Sequence, residues 1–150
     1  MPIRHWMRTK MQPLDNLAPN AKRIWSYAID DLVISVLFIA IFFDQLTQLV
    51  TPESATMFIK TNYWVLALLK VIYHTLFTWQ NGKTLGKQLM KIETVRITDG
   101  ALLTFPMALL RAAIRILDEA FFYIGFLPAF FSPTRQTLHD RISRSVVVNV

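Results

Sequence analysis

One apolar run constrains this chain more than any other feature. It extends from Ile24 to Phe43, 20 residues, and its last 12, Leu32 to Phe43, carry no charge. A helix needs about 20 mostly apolar residues to cross the hydrocarbon core of a bilayer. Pro19-Asn20 just ahead is a helix-entry signal, with Asn20 as the N-cap. A second run, Tyr63 to Trp79, has 17 residues. Its Trp64 and Trp79 stand 15 residues apart, about 22 Å along a helix. With Tyr63 they form the paired aromatic belts expected at two membrane interfaces. The alternative is two buried helices of a soluble bundle, but neither run has a broad polar face to turn toward water.

Composition points the same way. Hydrophobic residues make up 53% of the chain and charged residues 17%, against about 25% charged in soluble domains. That balance excludes a disordered chain. The absence of cysteine excludes a disulfide scaffold, a thiolate nucleophile and cysteine-based zinc sites. With 150 residues there is room for one domain.

Charge placement sets the orientation. Residues 1–23 hold Arg4, Arg8, Lys10, Lys22 and Arg23 against Asp15. Residues 44–62 hold Lys60 against Asp44 and Glu53, and residues 80–103 hold Lys83, Lys87, Lys91 and Arg96 against Glu93 and Asp99. Basic residues gather in cytoplasmic loops. The N-terminus and the 80–103 segment are therefore expected inside, and the 44–62 loop outside. This also accounts for the net charge of +6 without nucleic acid, for which no basic stripe interleaved with aromatics is present. Residues 1–23 contain no apolar stretch of signal-peptide type, so the first span is expected to act as an uncleaved insertion signal. The division is a basic cytoplasmic segment, 1–19, and a membrane domain, 20–150.

The third apolar region, Thr104 to Phe131, contains Arg111, Arg115, Asp118 and Glu119. Thr104 can cap a helix with Pro106 in its first turn, and Gly125 and Pro128 weaken the helix later. The tail carries Arg135, Arg141 and Arg144 against Asp140, which favours the inside. Two readings fit: an interfacial helix from about 104 to 118 followed by a re-entrant piece to about 131, or a plain third span. Ile92 to Thr98 alternates and ends in the turn signal Asp99-Gly100, and Ser145 to Val150 is valine-rich. These two stretches (92–98 with 145–150) are expected to pair as a small cytoplasmic ribbon. The fold class is thus an all-α membrane protein with two clear transmembrane helices, a third apolar helical region and a two-stranded ribbon.

Ionisable residues inside apolar runs are the candidate site. Asp30 and Asp31 lie seven and eight residues after Arg23; Lys70 lies mid-way along the second run, with His74 at i+4. In antiparallel helices all four reach one level. A lone charge at mid-helix costs about 2.5–3.5 kcal/mol, and pairing lowers that cost. The cluster reads either as a proton or cation site, with an aspartate as the exchangeable carboxylate and His74 as its proton partner, or as a structural ion pair fixing helix registry. Arg111, Arg115 and Glu119 share one helix face and either meet lipid headgroups or pair with Asp30 or Asp31.

Other motifs do not hold. Gly82-Lys83-Thr84-Leu85-Gly86-Lys87-Gln88 resembles a phosphate loop, but its glycine spacing is one residue short and Gln88 replaces the magnesium-holding Ser/Thr. A tight turn with lysines at the headgroups is the expectation. His5, His74 and His139 make no metal-ligand spacing. No Ser/His/Asp arrangement suggests a nucleophile, so no enzyme, catalytic residue, metal or cofactor is expected.

Three stretches together resemble the RDD family of small, mainly bacterial, multi-pass membrane proteins, named for an arginine and two aspartates. Ala21-Lys22-Arg23-Ile24-Trp25-Ser26-Tyr27-Ala28-Ile29-Asp30 is similar to its helix-opening motif, Gly82 to Lys87 to its loop after the second helix, and Arg135-Gln136-Thr137-Leu138-His139-Asp140-Arg141 to its closing motif. The resemblance implies Arg23, Asp30 and Asp140 as the named residues and the inner membrane as the location. Ser143-Arg144-Ser145 departs from the small-Gly-Thr pattern, and Asp31 and Lys70 are not signature positions. The family's activity is largely unsettled, with cation/proton exchange among the proposals. Arg23 at a helix end can snorkel to headgroups or clamp Asp140; in the second case, swapping the two charges should partly restore what either change alone breaks. Two functions stay open. One is a transport component exchanging monovalent cations for protons through Asp30. The other is a non-transporting subunit, assembly or lipid-organising module. Two or three spans cannot easily enclose a polar path, so transport requires a homo-oligomer or a membrane partner.

Overall fold

The computed structural model describes residues 13–150; Arg4, His5, Arg8 and Lys10 lie outside the described residues. A 3₁₀ turn at Pro13–Asn16 leads into helix α1, Asn20–Ile41. Pro19, not Asn20, occupies the cap position, and Asn20 opens the helix while its Nδ2 donates to the Ala129 carbonyl (3.2 Å). After a single helical turn at Phe43–Leu46 comes α2, Pro52–Thr61, within the stretch expected as a loop. It starts on a reciprocal Thr51–Ser54 capping box with Pro52 in its first turn. Helix α3, Tyr63–Asn81, follows and ends at Gly82, whose φ of 67° is the left-handed C-terminal stop that glycine accepts most readily. Then come α4 (Leu85–Leu89), β1 (Ile92–Arg96), α5 (Phe105–Ala120), two short turns at Ile124–Phe126 and Pro128–Phe131, α6 (Leu138–Ile142) and β2 (Ser145–Asn149).

α1 is long and apolar enough to cross a membrane; α2 and α3 pass that test only together, and they are bent by 54° where they join. The apolar runs of the sequence therefore became helices slightly shifted from their expected limits, 20–41 for 24–43 and 63–81 for 63–79. The ribbon forms as expected but shorter: β1 and β2 pair antiparallel from Ile92↔Asn149 to Arg96↔Ser145. Leu17 bridges Val148 on the other edge of β2, and the Ala18 N–H donates to the Val147 carbonyl (2.9 Å). Packing thus begins before residue 20. A small apolar core of Ala18, Ile92 and Val147 seals this end, which answers the marginal stability of a lone hairpin.

Polarity is inverted relative to a soluble domain. Among the described residues, nineteen buried side chains are polar or charged and twelve are hydrophobic, while Trp25, Leu32, Ile41, Trp64, Phe122 and Phe131 are exposed. α1 buries Arg23, Ser26, Asp30, Ile34 and Phe38, one helical stripe at three- and four-residue spacing. α5 buries Ala108, Arg111, Ala112, Arg115 and Asp118. It runs antiparallel alongside α3: the Phe105 ring meets Trp79 (5.3 Å), Arg115 meets His74, and Glu119 meets Lys70. The chain then returns through 121–134, and the Arg135 carbonyl accepts from Arg23 at the opposite end of α5. Residues 105–135 are therefore a hairpin whose two ends lie at the same end of the bundle.

α4 and α1 approach each other closely. A Cβ added at Gly86 would lie 2.1 Å from the Ser26 carbonyl oxygen, so only glycine fits. We expect Gly86→Ala to force the two helices apart and cost about 1–3 kcal/mol, the usual range for overpacking, read as a lower unfolding midpoint of the purified protein in detergent.

Candidate functional site

The residues singled out by the sequence converge, but in two groups rather than one. The first centres on Asp140. The Thr137–Asp140 capping box of α6 fixes this carboxylate: Thr137 N–H donates to Oδ2 (3.0 Å). Arg23 Nη2 donates to the same oxygen (2.5 Å), and Arg111 Nη1 donates to Oδ1 and also to Ser145 Oγ (3.0 Å). The Arg23–Asp140 clamp expected from the sequence is present, with Arg111 as a third member. With that member present, an arginine at 140 would face Arg111, so charge swapping is expected not to restore the clamp. Burial alone would push the Asp140 carboxyl up; the guanidiniums of Arg111 and Arg23 outweigh it and hold the group well below the usual carboxylate range.

His139 stands beside this clamp, fully buried. Its Nδ1–H donates to Asp118 Oδ2 (3.1 Å) and its Nε2 accepts from Tyr27 Oη (3.4 Å). Gly125 makes room for Asp118, since a Cβ there would lie 1.9 Å from the carboxylate. Burial lowers His139 most, the bond to Asp118 opposes it, Arg111 adds to the lowering, and the imidazole is held down at about 4.

The second group corrects the expected pairing of Asp30, Asp31, Lys70 and His74. Asp30 meets neither Lys70 nor His74. It is fully buried and accepts from Tyr73 Oη (2.8 Å), Gly86 N–H (2.8 Å) and Thr84 Oγ1 (2.6 Å). Thr84 is the N-cap of α4, so the second aspartate of the opening helix is spared and the first is cradled by a helix start. Asp31 is the member that meets Lys70 (3.5 Å), and it also meets Arg115 (3.5 Å). Lys70 donates to Glu119 (2.5 Å), Arg115 lies 3.6 Å from Glu119, and His74 Nε2 accepts from Arg115 Nη1 (2.8 Å). Arg115 also stacks over the Tyr27 ring, 4.4 Å from its centroid. Arg111 and Arg115 are only 5% and 4% exposed, so the headgroup reading of these side chains fails. The pairing of α5 with the first helix is made by Arg115 with Asp31, not by Arg111.

Lys87 departs from expectation in the same way. It is buried rather than at the headgroups, and its Nζ donates to Thr94 Oγ1 (2.6 Å). Burial, reinforced by Arg111, pushes its ammonium well below the usual lysine range. Sequence reasoning missed Tyr73, Thr84 and Gly86 as the partners of Asp30, and Asp118 as the partner of His139. Thr84 ahead of Leu85-Gly86 carried the one available signal, an N-cap residue before a short helix.

An apolar exterior around a self-paired polar interior, with a helix of membrane-crossing length, defines a small helical membrane protein. The sequence matches the RDD family over residues 17–144, and the chain belongs to that family. It is 30% identical over 129 residues to "Uncharacterized membrane protein YteJ" of Bacillus subtilis (strain 168), covering 85% of this chain and 77% of that one. It is 32% identical over 69 residues to "Proline-rich antigen homolog" of Mycobacterium tuberculosis (strains CDC 1551 / Oshkosh and ATCC 25618 / H37Rv), covering 46% of this chain and 29% of those proteins. No solved structure matches it.

Two outcomes follow from the clamp. Asp140→Asn leaves two buried guanidiniums short of a counter-charge and should cost about 3–5 kcal/mol, and the R23D/D140R double variant should stay as unstable as either single one; denaturant unfolding reads both. His139 binds a proton at 6.5 when unfolded and only near 4 when folded. The unfolded chain therefore takes up more protons inside that window, and stability should fall as pH drops from 6.5 to about 4. His139→Gln should flatten that slope in melts run across the same window. Asp140 contributes at lower pH still, because its stabilisation is complete above the ordinary carboxylate pKa and is lost below it.

Proposed function

We propose that this protein is a non-transporting, non-enzymatic membrane module of the inner membrane, in which the buried charges are structural. One observation supports the reading: the Asp30 carboxylate is closed off from solvent and held by three neutral donors, two on Oδ1 and one on Oδ2. A carboxylate that exchanges an ion needs an open side; this one has none. The two histidines among the described residues are likewise committed, to Arg115 and to Asp118, which leaves no nucleophile–base pair among those residues.

In the membrane, α1 and the bent α2–α3 pair make two spans, and 105–135 is a re-entrant hairpin that enters and leaves on one side. Three things support this. The hairpin's two ends lie beside Trp79 and Arg23, the ribbon joins the N-terminal segment to the tail at that same end, and the basic bias of residues 1–23, 80–103 and 135–144 puts that end in the cytoplasm. The apolar exterior contacts the bilayer and, on this reading, a membrane partner or a second copy.

Cation/proton exchange is a second reading, and one feature favours it. Asp31 is 35% exposed, sits between Lys70 and Arg115, and its Oδ1 makes no hydrogen bond among the described residues. Exchange would therefore run through Asp31 rather than Asp30. Proteoliposomes holding the purified protein and pyranine test both readings as sodium, potassium or lithium is added outside. We expect no cation-driven pH change from inserted wild type. A flux that Asp31→Asn abolishes would overturn the module in favour of exchange at Asp31. A flux abolished only by Asp30→Asn would overturn both assignments. Asp30→Asn should also lower stability by about 1.5–3 kcal/mol, since an amide NH₂ cannot accept all three donors of a charged site.

A further inference from the structure

Between α1, α3, α4 and α5 lies a small cavity of about 10 Å³ lined by Tyr27, His74, Thr78, Lys87, Arg111 and Arg115. It has room for about one water-sized particle. Three of its lining residues are cationic types, and no carboxylate lines it. Lys87 has donors to spare. Lys87 has three N–H groups, makes one bond to Thr94, and has no carboxylate within ion-pair distance among the described residues. Arg115 Nε is buried and makes no hydrogen bond, but it lies 3.6 Å from Glu119 Oε1 and is paired with that carboxylate. Arg111 shares Asp140 with Arg23, and Arg115 shares Asp31 and Glu119 with Lys70, while Asp30 is held by Tyr73, Thr84 and Gly86; Lys87 is in none of these pairs.

We propose that this cavity is a binding site for a single small inorganic anion of halide size, held by Lys87, Arg111 and Arg115. A buried ammonium short of a counter-charge is costly, and an anion beside it supplies both the charge and the missing acceptor. Size restricts the class to the smallest anions: the cavity admits about one water, which fluoride matches and chloride exceeds by a few tenths of an ångström in radius, whereas phosphate, sulfate and carboxylate headgroups are far larger. A membrane phosphate therefore cannot be the source, and a freely diffusing halide can. The site is independent of whether the protein transports cations.

The test uses the full chain in detergent micelles at constant ionic strength, with sodium gluconate exchanged for sodium fluoride, chloride, bromide or sulfate. Tryptophan fluorescence follows the unfolding midpoint, and ³⁵Cl NMR line broadening follows chloride directly. We expect chloride or another halide to raise the midpoint saturably, sulfate to have no such effect, and chloride to broaden in proportion to protein. Lys87→Met should weaken the halide response at least tenfold. Ala112→Leu, which fills the cavity without touching a charge, should abolish it; the NMR readout serves even if one variant folds poorly. Midpoints that are the same in every salt, with an unbroadened chloride signal from folded wild type, would mean the cavity holds water only and would overturn the assignment. A response that both variants retain would overturn it equally.

Discussion

The architecture depends on the carboxylate of Asp140. It accepts from guanidiniums 117 and 29 residues away, and each comes from a different helix. Through it the start of α1, the middle of α5 and the C-terminal segment are bound at one point. An arginine surrounded by apolar helices has few tolerable states: it can be paired, or it can reach the interface. Arg23 and Arg111 are paired, and pairing obliges α6 to sit between their helices. That position delivers Ser145 to Arg111 and begins β2, so the ribbon's register follows from the clamp. His139 and Tyr27 add a second layer of bonds around the same centre.

Outside this centre the molecule is built in reverse of a soluble domain. Its larger apolar side chains face out, and its interior is filled with threonine, serine and ion pairs. No hydrophobic force gathers helices in lipid; packing and interhelical polar bonds do that work. Small residues stand where backbones must approach: Ser26 opposite Gly86, and Ala108 and Ala112 on the face of α5 that meets α3. Glycine at 86 does two things at once. It lets α4 touch α1, and it presents an N–H to Asp30. The charge on Asp30 is thereby met by dipoles and hydroxyls rather than by a cation, which leaves Lys70 and Arg115 free to share Asp31 and Glu119.

The sequence carried some of this plainly and hid the rest, for physical reasons. Long uncharged runs announced α1 and α3, because hydropathy is a local property. Alternation announced the ribbon. The Arg23–Asp140 bond came from the family resemblance, since nothing local links residues so far apart. The partners of Asp30 were invisible for a different reason. One is a backbone N–H, which every residue has; the others, Tyr73 and Thr84, are neutral, and counting charges overlooks them. Matching helix depth placed Asp30 level with Lys70 correctly in height but not in azimuth. Adjacent residues point about 100° apart on a helix, and it was Asp31 that faced Lys70. The inward turn of Lys87 was equally hidden, because a lysine after a Gly-Lys-Thr turn looks like any surface lysine until α5 covers it.

The clamp also imposes an order in time. A chain is made from its N-terminus, and its parts begin to fold as they emerge. Arg23 is made with the first helix, and Arg111 follows with the hairpin. The acid that neutralises both is made last of the three. Until residue 140 has left the ribosome, a nascent chain carries two guanidiniums without their carboxylate. Helix insertion and final assembly are therefore separate stages for this protein. A product cut short before α6 would lack the carboxylate that joins the two guanidiniums, leaving its hairpin untethered and both of them without Asp140.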